Sequence, residues 1–223
     1  MNITSEQWRK ALDYIQVYYN DFVEEKTRYS TESLNEDHGC PPPIPELNKG
    51  WSQDKGTDTL WREKRILWCY PSNPKKGTYL KEDEQIPVAC LGTTLWNIIH
   101  AFKSLGLEDE ISNAKIEKLK SVSLQHPKGI AQAFVELGWA NNVFTNPDEA
   151  QGGDVGVIGY GDELPHHWFV VAEEPHLEID GHKALNTWAA SPHAGGAGYD
   201  HWYKEKTRNN KNRYWILARP FEK

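Results

Sequence analysis

The chain has few of the features that assign a protein quickly. Its three cysteines, at 40, 69 and 90, form no C-x-x-C pair, which argues against a disulfide framework and a cysteine-rich zinc site. One bridge between Cys40 and Cys69 stays open. There is no basic excess: 25 Lys and Arg against 32 Asp and Glu leave a formal charge of −7, so nucleic-acid binding is not expected. No apolar run reaches membrane-spanning length, and no membrane insertion is expected. The N-terminal MNITSEQWRKALDYIQ lacks the basic-then-apolar layout of a signal peptide, so synthesis in the cytoplasm without a leader is expected. Nine histidines are present, but there is no H-E-x-x-H, and His176 and His182 flank a hairpin instead of sharing a helix face. No metal or cofactor is expected. There is no internal repeat or low-complexity segment.

What is present is a composition for a packed core, with 38% hydrophobic and 26% charged residues in 223, enough for one large domain or a domain with an extension. Thr4 and Gln7 make a T-x-x-Q capping box, and Trp8, Leu12, Ile15, Tyr19 and Phe22 follow at helical spacing. Residues 27–50 are polar and then proline-rich (CPPPIP at 40–45), which requires extended chain. Residues 51–89 read as irregular, with one strand near Arg65–Tyr70. Pro87 favours a helix start, and Leu91, Leu95, Ile98, Ile99, Phe102 and Leu105 give that helix an apolar face. Further helices are expected over Asp109–Ser123 and Lys128–Leu137, the second ending at Gly138.

The pattern then changes. GDVGVIGYG (153–161), HHWFVVAE (166–173) and RYWILARP (213–220) are short and β-rich, and Asp180-Gly181 is a hairpin signal between apolar alternations. Lys204–Arg213 reads as a solvated loop or hairpin tip. Helices first and strands second predict an α+β fold, N-terminal helices packed on a C-terminal antiparallel sheet. We divide the chain into a 1–80 extension and an 81–223 domain. The ten tryptophans suit stacking on sugars or peptides but are mostly expected in the core.

Cys90 falls at the expected helix N-terminus, where unpaired N–H groups and the macrodipole favour a thiolate. A cysteine nucleophile needs a base and a group that orients the base. His166 and His167 open a strand, and Asn186 stands on the next, within cross-strand hydrogen-bonding reach. Trp188 could shield that contact from water. The bland alternatives are a core cysteine, surface histidines and a turn asparagine.

The order helix cysteine, strand histidine, strand asparagine resembles the papain-like cysteine peptidase superfamily. NTWAASPHAGGAGYDHWYK with RYWILARP resembles the segment after the papain asparagine. Gly153-Asp154-Val155 followed by HHWFVV is similar to NlpC-type and CHAP-type cell-wall amidases and endopeptidases. The resemblance spans roughly residues 85–220. It implies Cys90 as nucleophile, His167 as base and Asn186 as orienting residue, with Asp154 a structural turn residue. His166 is the alternate base and His193 the alternate third residue. It also implies an oxyanion site at the Cys90 N–H, with Gln85 a rough counterpart of the papain glutamine. A His-paired cysteine at a helix N-terminus can have a pKa lowered to about 3–4, so a pre-formed ion pair is expected. The implied reaction is amide hydrolysis in peptidoglycan stem peptides by an antibacterial effector or lysin. A type VI secretion effector would reach the periplasm of a target cell through a secretion-apparatus carrier and would have an immunity protein. The alternatives are an intracellular protein-directed protease or acyltransferase of the same superfamily and a non-catalytic, tryptophan-rich binding module.

Overall fold

The computed structural model describes residues 3–22, 27–29, 86–88, 90–191, 194 and 196–222. The readings on Cys40, Cys69, Gln85, His193, the 40–45 proline run and the strand near 65–70 lie outside these residues.

Helix α1, Ser5–Phe22, begins at the expected capping box. The Thr4 N–H donates to Gln7 Oε1 at 3.0 Å and the Gln7 N–H to Thr4 Oγ1 at 3.2 Å, satisfying two donors of the first turn. Trp8 is buried. Its indole N–H donates to the Gly153 carbonyl at 3.1 Å, and its ring lies 5.0 Å from Phe102 and 5.3 Å from Phe221. The N-terminal helix is therefore tied to the domain core.

Strand β1, Thr27–Tyr29, pairs in parallel with β2, Ile86–Val88. Pro87 thus sits in a strand, and the following helix α2 starts three residues later, at Cys90–Ser104. Every residue of α2 from Cys90 to Lys103 is buried, so its polar residues as well as its apolar stripe are enclosed. A 3₁₀ turn at Glu108–Ile111 precedes α3, Asn113–Gln125, where the sequence pattern predicted one continuous helix. Helix α4 spans Gly129–Glu136, close to expectation, and Gly138 follows with φ +72°.

The remaining elements are β3 (Ala140–Phe144), β4 (Val155–Tyr160), β5 (His167–Ile179), β6 (His182–Ala190), β7 (Ala197–Tyr203), β8 (Thr207–Arg208) and β9 (Lys211–Pro220). They form an antiparallel seven-stranded sheet of order β3-β9-β4-β5-β6-β7, with β8 paired to β9. The architecture is α+β, as the texture of the sequence predicted. Asp180 and Gly181 turn the β5–β6 hairpin with φ 52° and 75°. Asn209 and Asn210, at φ 51° and 61°, turn the β8–β9 hairpin inside the segment read as a hairpin tip. Strand β3 was not anticipated, because ANNVF lacks apolar alternation.

Strand alternation gives the sheet two different faces. One meets the helices. Trp168 donates its indole N–H to the Ser123 carbonyl of α3 at 2.9 Å, and Trp188, cross-strand from Val170, stacks on Trp96 of α2 at 6.0 Å. The opposite face carries His167, Phe169, Leu185, Trp202 and Trp215. Gly156 permits the close approach of Phe169 there, since a Cβ would lie 2.8 Å from Phe169 Cζ. The β5–β6 register slips between Val171 and His176, a stretch containing Pro175, which cannot donate to a ladder. The end of β7 then returns to the start of β9. Arg213 Nη1 donates to the Tyr203 carbonyl, and Trp215 Nε1 to the Lys204 carbonyl at 3.0 Å. The second face is thereby rolled into the inside of a half-barrel.

Candidate active site

Cys90 is the first residue of α2 and is 1% exposed. The backbone of Trp168, of Leu91 and of Cys90 itself hydrogen-bonds the sulfur, each bond favouring the thiolate. Burial outweighs them and pushes the thiol up to about 11. The resting group is therefore a neutral thiol, the reverse of the expected ion pair, because enclosure on all sides costs more than a helix N-terminus returns. Thr94, one turn on, donates its hydroxyl to the Trp168 carbonyl at 3.0 Å. The N-terminus of α2 is thus held against the backbone of β5 at the residue directly after His167.

The His167 ring is buried and lies on the half-barrel face, 4.4 Å from the Trp202 ring and 6.0 Å from Phe169, so alternation along β5 aims it away from α2 and not at Cys90 as the sequence reading expected. His166 stacks on Tyr160, with centroids 5.2 Å apart and planes 15° from parallel. Burial, and then the charges of Arg208 and Arg213, hold it below the usual histidine range, with Glu163 opposing. It therefore faces the same side as His167, towards the Tyr160–Arg213 end of the barrel.

Asn186 is not brought to His167. Its amide donates to the Glu174 carbonyl at 3.1 Å, in the stretch where β5 slips register. It shares strand parity with Trp188 on the helix face, and the ladder pairs Val171 with Thr187, which places Asn186 several residues along β6 from the level of His167. The expected orienting role fails because alternation along β6 puts Asn186 with Trp188 on the helix face, while alternation along β5 puts His167 on the other. Trp188, expected as a shield for the base, instead packs against α2. Trp202 of β7 is the tryptophan that covers His167.

Asp154 is structural in its contacts. It accepts from the Gln151 N–H at 2.8 Å and from Arg219 Nε at 3.1 Å. Burial pushes its carboxyl up to about 6, against the pull of Arg219 and the Gln151 N–H. Among the described residues no cluster of His, Cys, Asp and Glu could hold a metal ion, and no helix is long and apolar enough to cross a membrane.

Sequence reasoning missed Tyr160, Trp202 and Arg213. Arg213 opens the strand RYWILARP and Tyr160 ends VGVIGY, each with its side chain on the inner face. Only the pairing of β4 with β9, which sets Tyr160 opposite Arg213, brings them together.

No protein-family model, no curated protein and no solved structure matches the chain.

Proposed function

We propose that the chain is a cysteine hydrolase of amide bonds with a papain-like arrangement, in which Cys90 is the nucleophile and His167 the base. The observation that supports this reading most is the contact of the Cys90 sulfur with the backbone of Trp168, next to His167. It joins a helix N-terminus to the histidine-bearing strand. In the reaction, the His167 ring, which lies on the sheet face opposite α2 and packs against Trp202, must turn toward Cys90 to take the thiol proton as sulfur attacks the amide carbonyl. The Cys90 N–H donates to the developing oxyanion, and the protonated imidazole gives its proton to the leaving amine. Water activated by the same ring then releases the acyl group. Asn186 has no part in this scheme, because its amide is engaged at Glu174. The resemblance of Gly153-Asp154-Val155 and HHWFVV to cell-wall amidases makes peptidoglycan stem peptides the proposed substrate, cleaved by an effector or lysin acting in the periplasm of a target cell.

The test is mass spectrometry of purified muropeptides incubated with the protein. Cleavage should occur and should fall by about a thousandfold or more in Cys90→Ala and His167→Ala, while Asn186→Ala keeps activity within a few-fold. Cleavage that survives Cys90→Ala overturns the proposal, as does failure to cleave both muropeptides and a general peptide library.

A second reading is favoured by one observation, the burial that holds the thiol up at about 11. On it the domain is a non-catalytic binding module and Cys90 is core.

A further inference from the structure

The open end of the half-barrel holds a cavity of ≈ 420 Å³ beside His167, within the size range of small-molecule sites. Its inner wall is Arg213, whose residue is 9% exposed. The guanidinium donates Nη2 to the Tyr160 hydroxyl at 2.8 Å and Nη1 to the Tyr203 carbonyl, and its buried Nε has no hydrogen-bond acceptor. Both acceptors are neutral. Among the described residues no carboxylate lies within ion-pair distance of Arg213; the carboxylate felt at neighbouring His166, Glu163, is paired with Lys211 at 2.9 Å. The rings of Trp202, Tyr160 and Trp215 lie 5.2, 5.5 and 5.8 Å from the guanidinium carbon. They soften the burial of the charge but do not neutralise it. Lys206 and Arg208 add two further cations at the rim of the same cavity. The mouth sets three cations and aromatic walls together, in a chain whose overall charge is −7, with Glu163 the carboxylate within electrostatic reach of Arg208.

We infer that this cavity is a recognition site for an oxyanion, a carboxylate or a phosphate, carried on a ligand with a flat ring. Arg213 supplies the buried charge that the anion completes, and its fork geometry suits a carboxylate or phosphate. Trp202 and the stacked Tyr160–His166 pair take the ring, while Lys206 and Arg208 draw the anion to the mouth. The inference does not rest on the hydrolase reading, since Arg213, Lys206 and Arg208 take no part in that chemistry. If both hold, the site receives the anionic end of the substrate beside His167.

The test is a calorimetric titration of the full chain with benzoate and with phenyl phosphate, and with benzamide as the neutral control. Wild type and Cys90→Ala should bind at least one anion equally well, and whichever binds more tightly identifies the acid group. The exposed pair Lys206→Gln with Arg208→Gln should weaken binding by about tenfold or more, and added salt should weaken it in wild type. Arg213→Lys, which keeps the charge but loses the fork, should weaken it as well; a thermal melt of that variant checks that it is folded. Benzamide binding as tightly as benzoate overturns the inference. So does the absence of binding by either anion, or unchanged affinity in the Lys206, Arg208 double variant. Muropeptide cleavage without anion binding would sink this inference alone, and anion binding with no cleavage of muropeptides or of the peptide library would sink the hydrolase reading alone.

Discussion

Trp202 lies against His167, ring centroids 4.4 Å apart and planes 33° from parallel, although β6 separates their strands in the sheet order. The contact exists because the sheet rolls over on itself. Trp202→Ala should therefore loosen the roll as well as uncover His167. The expected loss is about 1–3 kcal/mol of unfolding free energy, with Trp202→Phe costing less because a ring remains. Urea denaturation measures both. Equal stability of the alanine variant and wild type would show that the contact carries no weight.

Cys90 gives the second prediction. A thiol held at about 11 instead of 9.0 has on the order of a hundredfold less thiolate at neutral pH. In a Cys40→Ser, Cys69→Ser background, native protein at pH 7 should react with iodoacetamide far more slowly than the same chain in urea. Rapid alkylation at pH 6 would instead reveal a pre-formed thiolate and contradict the buried setting.

Acid should destabilise the fold through His100. Burial, then the charge of Lys103, holds this imidazole well below its ordinary 6.5. Below that pH the unfolded chain binds a proton that the folded chain refuses. The stability linked to His100 is thus complete above about 6.5 and is lost as the pH falls, at up to about 1.4 kcal/mol per pH unit. His166 and His176, also lowered, act in the same direction. Asp154, pushed up to about 6, acts in the opposite direction, so from pH 7.5 to 5 the urea midpoint of wild type should fall relative to that of His100→Leu; parallel curves would remove His100 from the account.

The ion pair of Asp154 and Arg219, at 3.1 Å with Asp154 1% exposed, anchors the turn into β4 to β9. Asp154→Ala removes the buried partner of a half-enclosed guanidinium that keeps Glu222 at 3.6 Å and the Glu149 carbonyl, leaves the Gln151 N–H without its acceptor, and should cost about 1–3 kcal/mol. Adding Arg219→Ala should cost less than it does in wild type, because the pair is already broken and only the contacts with Glu222, the Glu149 carbonyl and Phe144 remain to be lost. Strict additivity in the double-mutant cycle would show that the two side chains act independently.

Local signals were legible where the physics is local. The Thr4–Gln7 box, the Asp180-Gly181 turn and the apolar stripe of α2 each depend on residues within a turn or two of one another, and each reads directly from the chain. The site depends on distant pairing. Nothing near Asn186 says that the ladder will pair Val171 with Thr187 and so leave Asn186 off the level of His167 and on the other face. Nothing near Arg213 says that β9 sets it beside Tyr160. Cys90 was placed correctly at a helix start, but its charge state was misjudged. The helix itself favours a thiolate, while the enclosure that opposes it comes from elements far away in sequence.

The position of β9 has a consequence for how this polypeptide is made. Strand β9, made after β3 to β8, lies in the interior of the sheet, between β3 and β4, and Ser5 of the first helix donates to the carbonyl of Pro220 at its end at 2.9 Å. While synthesis continues, a nascent chain can form the β4–β7 meander, but β4 presents a bare edge and β3 has no neighbour. Such edges are where strands from other chains add. A stalled or truncated product lacking residues 213–220 would be an open template for aggregation rather than a slightly shortened protein.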